Sequence, residues 1–141
     1  MEVSKLNAAG LLLFNSGYIY RRLRKESEKL GIRWTQITLL KDIELLTPVT
    51  QKELAKVNHM SGPSISVIVN EMVDLGLVVR KVNPLDKRSS SLALTPKGHR
   101  HLEKDGNKLQ SCLVPLLEEL TSSDIEQIIE AELALAKVIA K

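Results

Sequence analysis

Cysteine is almost missing from this chain of 141 residues, which contains only Cys112. An internal disulfide and a zinc site built on several cysteines are therefore excluded. No segment approaches the roughly 18 uncharged apolar residues that a membrane-spanning helix needs. The N-terminus also lacks the basic patch and long apolar run of a secretory signal. We therefore expect a single-domain cytoplasmic protein, in a compartment that keeps thiols reduced.

Catalytic motifs are missing as well. The chain has no phosphate-binding glycine loop, no serine elbow and no recognisable pairing of histidine with cysteine or serine. His99 and His101 are two residues apart, so on a helix they point to different faces. Cys112 lies near apolar residues, which favours a buried, inert thiol over a redox sensor. We expect neither an enzyme nor a bound metal or cofactor.

Charge is present but unevenly distributed. The net charge is +3, and 43% of the residues are hydrophobic, enough for a packed core. Residues 1–47 carry +3, residues 48–100 carry +4 and residues 101–141 carry −4. Ordinary surface variation would account for this pattern equally well. The alternative is that the first hundred residues contact a polyanion.

Long apolar helices are predicted at the two ends of the chain. Residues 6–30 have helical spacing without proline, and Gly31 supplies a C-terminal stop. A helix of this length spans ~37 Å, more than a small monomer needs, so part of it is expected to pack on a partner. Thr121 and Asp124 predict the cap of a final helix. Pro115 is expected to kink or divide the helix before it.

Shorter helices are predicted between these ends. Thr35 is the expected cap of a helix over residues 35–46, and Thr50 with Glu53 forms a capping-box pattern for the next. Ser61 is the expected cap of a helix over residues 61–75, whose apolar residues recur at helical spacing. Two helices joined by a few residues, the second opening on small polar residues, indicate a helix-turn-helix.

A β-hairpin follows directly. Residues 77–82 and 91–94 have strand character, and a polar turn separates them. We call residues 83–90 the wing. The predicted fold class is mainly α with a small β-hairpin, that is, a winged helix-turn-helix flanked by N- and C-terminal helices.

The order of these elements, together with several local strings, resembles the multiple-antibiotic-resistance-regulator (MarR) family of winged-helix regulators. The strings are GIRWTQ at 31–36, QKELA at 51–55, SGPSIS at 61–66, LGLV at 75–78, DKRS at 86–89 and LTPKG at 94–98. The resemblance covers nearly the whole chain and implies one domain. It assigns residues 1–30 and 100–141 to dimerisation and residues 35–98 to the winged helix-turn-helix. It also implies a homodimeric repressor on a palindromic operator, often released by a small molecule.

The resemblance and the residue chemistry together nominate a set of DNA contacts. These are Thr50, Gln51, Lys52, Lys56, Ser61, Gly62, Pro63, Ser64, Ser66, Val67, Asn70, Arg80, Lys81, Asp86, Lys87 and Arg88. Family members often carry arginine where this chain has Val67, and no Lys or Arg occurs from 57 to 79. Bidentate pairing of arginine with guanine is therefore unavailable from the helix itself. We therefore expect this protein to depend on its wing and on DNA shape for recognition more than many members of the family do.

In the wing, Lys87 and Arg88 are the predicted minor-groove contacts, because a narrow minor groove attracts arginine. The resemblance implies that Asp86 orients Arg88 through a carboxylate–guanidinium pair. The alternative is a solvated hairpin tip without a ligand. In the same way, Ser61 and Ser64 could serve only as helix caps.

A further expectation concerns a small anionic or phenolic effector. Tyr18, Arg22 and Trp34 are its candidate ligands, although the two aromatic residues are as easily core residues and the basic run around Arg22 suits a solvated helix face. The competing function is a winged-helix module that binds proteins instead of DNA. The absence of basic residues from helix 61–75 favours that alternative, and the basic wing and the +4 charge of residues 48–100 oppose it.

Overall fold

The computed structural model describes residues 4–86, 88 and 90–139. Most of the described residues are helical, and three short strands form one antiparallel sheet. The elements in chain order are α1 (Lys5–Leu30), α2 (Trp34–Leu46), β1 (Val49–Thr50), α3 (Gln51–Val57), α4 (Gly62–Asp74), β2 (Val78–Val82), β3 (Ser90–Leu94), α5 (Pro96–Ser111), α6 (Val114–Leu117) and α7 (Ser122–Ile139).

The helix boundaries follow local capping chemistry. Thr50 accepts a hydrogen bond from the Glu53 amide while the Glu53 carboxylate accepts one from the Thr50 amide, so the predicted capping box is confirmed. Gly31 ends α1 in the left-handed conformation, which glycine adopts without steric cost. The predicted cap at Thr35 is wrong. The N-cap of α2 is Arg33, without a side-chain cap bond, and the helix already begins at Trp34.

The sheet contains one strand more than the predicted hairpin. Its order is β1-β3-β2, with Val49 paired to Leu92 and Arg80 to the same Leu92 from the other side. The strand β1 has only two residues, too few for an alternating pattern to reveal it. It ties the start of α3 to the hairpin and so fixes the helix-turn-helix against the wing.

The core lies within the winged helix-turn-helix. Its fully buried side chains come from α2, α3, α4 and β3, and include Leu40, Leu54, Val69, Met72 and Leu92. The predicted apolar stripe of α4 therefore faces inward. Burial of each such side chain stabilises the fold by roughly 1.5–3 kcal/mol.

The terminal helices leave large apolar side chains exposed. On α1, Leu13 and Phe14 are 68% and 75% exposed, and α7, all of whose residues are described, buries none of its side chains.

α5 ends at Ser111, and Pro115 stands in the first turn of the short α6, so the expected division occurs slightly before the proline. Among the described residues, no helix combines the length and apolar character needed to cross a membrane.

The start of α5 packs tightly on the residues that follow α4. Thr95 donates through its amide to the Leu77 carbonyl at 3.0 Å and through its hydroxyl to the Gly76 carbonyl at 2.5 Å. Gly98 is buried at the same junction, and a Cβ there would collide with the Leu77 carbonyl.

We expect Gly98→Ala to destabilise the protein by about 1–3 kcal/mol, because the backbone of Leu77 cannot move aside freely. Gly106→Ala on the same helix is the matched control, since a Cβ there meets no atom within 4 Å. That control should be neutral or slightly stabilising. Denaturant unfolding at one protein concentration measures both, and equal stabilities would contradict the predicted clash.

Candidate nucleic-acid interface

The face of α4 opposite the core is exposed, and its side chains are small and uncharged up to Asn70, before the exposed Asp74 in the last turn. Pro63, Ser64 and Asn70 are exposed, and Val67 at the centre of this face is 60% exposed. We call this the outward face of α4. Because Ile65 and Val69 occupy the core, the helical period places Val67 away from it. The segment proposed to meet DNA is therefore accessible.

The serines at the start of α4 have a structural role. Ser61 is the N-cap, and its hydroxyl accepts from the Ser64 amide at 3.2 Å and donates to the Ser64 hydroxyl at 2.8 Å. Both residues also remain exposed. The capping role is confirmed, and it leaves the side chains at the surface, where contact with DNA stays a prediction.

A guanidinium from the sheet reaches the outward face of α4. Arg80 on β2 donates to the Asn70 amide oxygen at 2.5 Å and to the Gln51 amide oxygen at 3.5 Å. Arg80, Asn70 and Gln51 were each predicted from the sequence to contact DNA, but the sequence does not indicate that their side chains meet. The available signal is the short connection between α4 and β2, which forces the strand to return alongside the helix.

The wing is organised by two side-chain turns. Asn83 Oδ1 accepts from the Leu85 amide and Asp86 Oδ1 accepts from the Arg88 amide, each at 3.0 Å. Asp86 thus holds the backbone amide of Arg88, and the implied pair between its carboxylate and the Arg88 guanidinium stays a prediction. Arg88 is exposed, and Lys87 lies outside the described residues.

The remaining cations divide into two groups. Lys52 and Lys56 on α3 and Lys81 on β2 are exposed. Lys97 donates instead to the Leu75 carbonyl at 2.8 Å, at the C-terminal end of α4. A cation at that position neutralises the partial negative charge of the helix end. Lys97 therefore has a structural role at the helix end, and contact of the first group with a phosphate backbone stays a prediction.

A cavity of about 590 Å³ opens between α2 and α5, beside the winged domain. Trp34, Leu102 and Leu109 contribute to its apolar lining, while Lys41 and Glu44 stand among its polar residues. The hydrogen bond from Lys41, at 2.8 Å, holds the pKa of the Glu44 carboxyl below its ordinary value.

The candidate effector residues are not brought together. Trp34 lines this cavity and a second one of about 430 Å³, and its ring meets Tyr20 edge-on with 5.8 Å between centroids. Tyr18 and Arg22 line neither cavity, and Tyr18 is 52% exposed. Tyr20, which lines the second cavity, was not predicted from the sequence. Which of the tyrosines on α1 faces a cavity depends on how the helix packs, and the sequence does not show this.

Other reactive side chains form no site within the described part of the chain. Groups of three or more His, Cys, Asp or Glu residues that could hold a metal ion do not occur there. Cys112 is half-buried, and its thiol donates to the Lys108 carbonyl at 3.3 Å. The thiol was expected to be buried, and it is only partly so.

Comparison with known proteins agrees with this architecture. Residues 30–89 match the family model described as the MarR family. A relative, the Bacillus subtilis protein named "Uncharacterized HTH-type transcriptional regulator YdgG", is 26% identical over 122 residues, covering 85% of this chain and 80% of that protein.

Solved structures extend the likeness along the chain. Wild-type apo MarR from Escherichia coli is 26% identical, covers 97% of this chain and 98% of its own, and has a TM-score of 0.71. The multiple antibiotic resistance repressor MarR is also 26% identical, with 97% and 96% coverage and a TM-score of 0.76. A Staphylococcus aureus MepR mutant bound to an oligodeoxyribonucleotide shares the fold, with 20% identity, 98% and 99% coverage and a TM-score of 0.60. Residues 30–89 are therefore similar in sequence to the MarR family, and the likeness to MarR winged-helix structures extends over nearly the whole chain.

Proposed function

We propose that this protein is a homodimeric cytoplasmic repressor that binds a palindromic DNA operator. In this proposal α4 enters the major groove and the wing contacts the adjacent minor groove. The observation that carries the proposal is the exposed, sterically small outward face of α4, flanked by cationic side chains on α3, on β2 and in the wing. The likeness to a MepR structure that contains DNA supports it.

The division of charge supports a particular mode of binding. Lysines at the edges of the interface suit phosphate contacts, which supply affinity without sequence information. The small side chains of α4 allow the helix to approach the base edges closely, and Val67 offers an apolar surface for a thymine methyl group. Affinity and sequence recognition would thus come from different side chains.

The exposed terminal helices support dimerisation. Leu13, Phe14, Ile129 and Leu133 are between 52% and 75% exposed, and such extended apolar surfaces are typical of protein interfaces. A symmetric pair would bury them and would present two copies of α4 to successive turns of duplex DNA. The palindromic operator follows from this symmetry.

The cavity beside α2 supports control by an effector. Its apolar lining with a few polar groups suits a small ring-containing molecule, and Lys41, which is hydrogen-bonded to Glu44, supplies a cation in the lining. We include a small anionic or phenolic effector in the proposal. Of the three residues nominated from the sequence, Trp34 is the one that lines the cavity.

A protein-binding module is the second candidate. The exposed Val67 and the 96% exposed Leu85 favour it, because apolar side chains at a surface suit protein contacts. The experiments below separate the two functions.

Replacing Arg88 with alanine should weaken binding to the DNA upstream of the protein's own gene at least tenfold, or ~1.4 kcal/mol. The reason is the loss of a minor-groove cation from each wing. Arg24→Ala on α1 is the control, since Arg24 is an exposed arginine in an i,i+4 ion pair with Glu28. Fluorescence anisotropy at fixed salt measures both, and equal affinities for Arg88→Ala and the wild type would contradict the wing contact.

The affinity for that DNA should fall steeply with salt. If the dimer neutralises ~6–10 phosphates, the slope of log affinity against log salt is about −5 to −9. Titrations at several sodium chloride concentrations give the slope. A flat response would remove DNA as the ligand and favour the protein-binding candidate.

Light scattering should give twice the 15.7 kDa chain mass. Phe14→Glu should shift the protein towards monomer, because a buried charge without a partner is costly. Leu85→Glu is the control, since Leu85 is an exposed apolar residue in the wing, and it should remain dimeric. A monomeric wild type would defeat the dimer proposal.

A further inference from the structure

The helix α4 contains no Lys or Arg, yet the guanidinium of a neighbouring strand lies on its outward face. Residues 57–79 contain no Lys or Arg, and Arg80 is the first to follow. The sheet carries Arg80 back alongside α4, where its Nη2 lies 2.5 Å from the Asn70 amide oxygen. The charge missing from the helix is thus delivered from β2.

This contact fixes the orientation of the Asn70 amide. Arginine has only hydrogen-bond donors, so the group that faces it must be the amide oxygen and not the nitrogen. The two donors of the Asn70 amide nitrogen then lie away from Arg80. Gln51 steadies the same guanidinium through its own amide oxygen at 3.5 Å. Asn70 is exposed and Arg80 half-buried, so both belong to the accessible surface.

The pair therefore presents donors to whatever approaches it. Arginine has five N–H groups, of which two are engaged in the described contacts with Asn70 and Gln51. An unrestrained asparagine pairs with adenine, because its oxygen accepts from N6 and its nitrogen donates to N7. With the oxygen held by Arg80, the N6 amino group of adenine would approach a cation. Guanine instead offers two acceptors, O6 and N7, in the major groove.

We propose that Arg80 and Asn70 form one reading unit, in which N–H donors predominate, that selects a guanine in the operator, and that Arg80 keeps Asn70 from reading adenine. This inference rests on the proposed DNA-binding function and assigns a base specificity to it. Arg80 acts both as a reader and as the positioning residue for Asn70. The competing role for Arg80 is a phosphate contact without any base preference.

The test begins with selection of bound duplexes from a randomised DNA pool by the wild-type protein. The same selection is run with Arg80→Met, which removes the cation, and with Asn70→Ala, which removes the amide. Lys81→Met is the matched control, because it deletes an equal charge at the next position of β2, where the side chain points to the opposite face of the strand. Circular dichroism verifies that each variant is folded.

We expect one guanine in each half-site to depend on the pair. Arg80→Met should accept adenine at that position, because the Asn70 oxygen is released, and Asn70→Ala should lose preference there. Replacing that guanine with 7-deazaguanine should weaken wild-type binding about fivefold to a hundredfold, since N7 is lost as an acceptor. Lys81→Met should keep the wild-type base preferences, whatever its overall affinity.

Two results would overturn the inference while leaving the proposed function in place. The first is an Arg80→Met variant that selects the same bases as the wild type with evenly reduced affinity, as expected of a phosphate contact. The second is an Asn70→Ala variant with unchanged preference at every guanine. A wild type that enriches no sequence would instead remove the proposed function, and the reading unit with it.

Discussion

The packing of one face of α4 into the core is the constraint on which the rest depends. Ile65, Val69 and Met72 occupy the interior, almost fully shielded from solvent. Since an α-helix turns 100° per residue, burial of this stripe decides which residues face outward. The spacing of these three apolar residues therefore determines which side chains of α4 lie on the outward face. The sheet and α5 hold the helix in that orientation.

Affinity for DNA and recognition of its sequence are two tasks that many DNA-binding helices combine, and in this protein they fall to different elements. A helix without lysine or arginine gains little from the charge of DNA, so affinity must come from neighbouring elements. In this chain α3, β2 and the wing carry those charges. The arrangement leaves α4 without a cation, while long cationic side chains are carried by the neighbouring elements.

Much of this architecture could be predicted from the sequence, because it depends on short-range chemistry. The capping box at Thr50, the serine cap at Ser61 and the glycine stop at Gly31 are local signals, and each is confirmed. The first turn of α2 was misjudged because Thr35 offered a capping side chain that the chain does not use. The two-residue strand β1 was missed because its pairing with Leu92 joins residues 43 positions apart along the chain.

The candidate site was harder to predict, since its contacts depend on distance in space. The amide of Asn70 and the guanidinium of Arg80 are ten residues apart and meet only because β2 folds back on α4. The bond from the Arg88 amide to the Asp86 carboxylate was missed, because no residue pattern distinguishes a backbone partner from a side-chain partner. The cavity excludes Tyr18 and Arg22 because the rotation of α1 about its axis is set by packing.

The junction between α4 and α5 has a mechanical consequence. Hydrogen bonds from Thr95 and Lys97 clamp the start of α5 onto the carbonyl groups of Leu75, Gly76 and Leu77. The start of α5 and the end of α4 are thus joined directly, so a tilt of α5 would carry the C-terminal end of α4 with it.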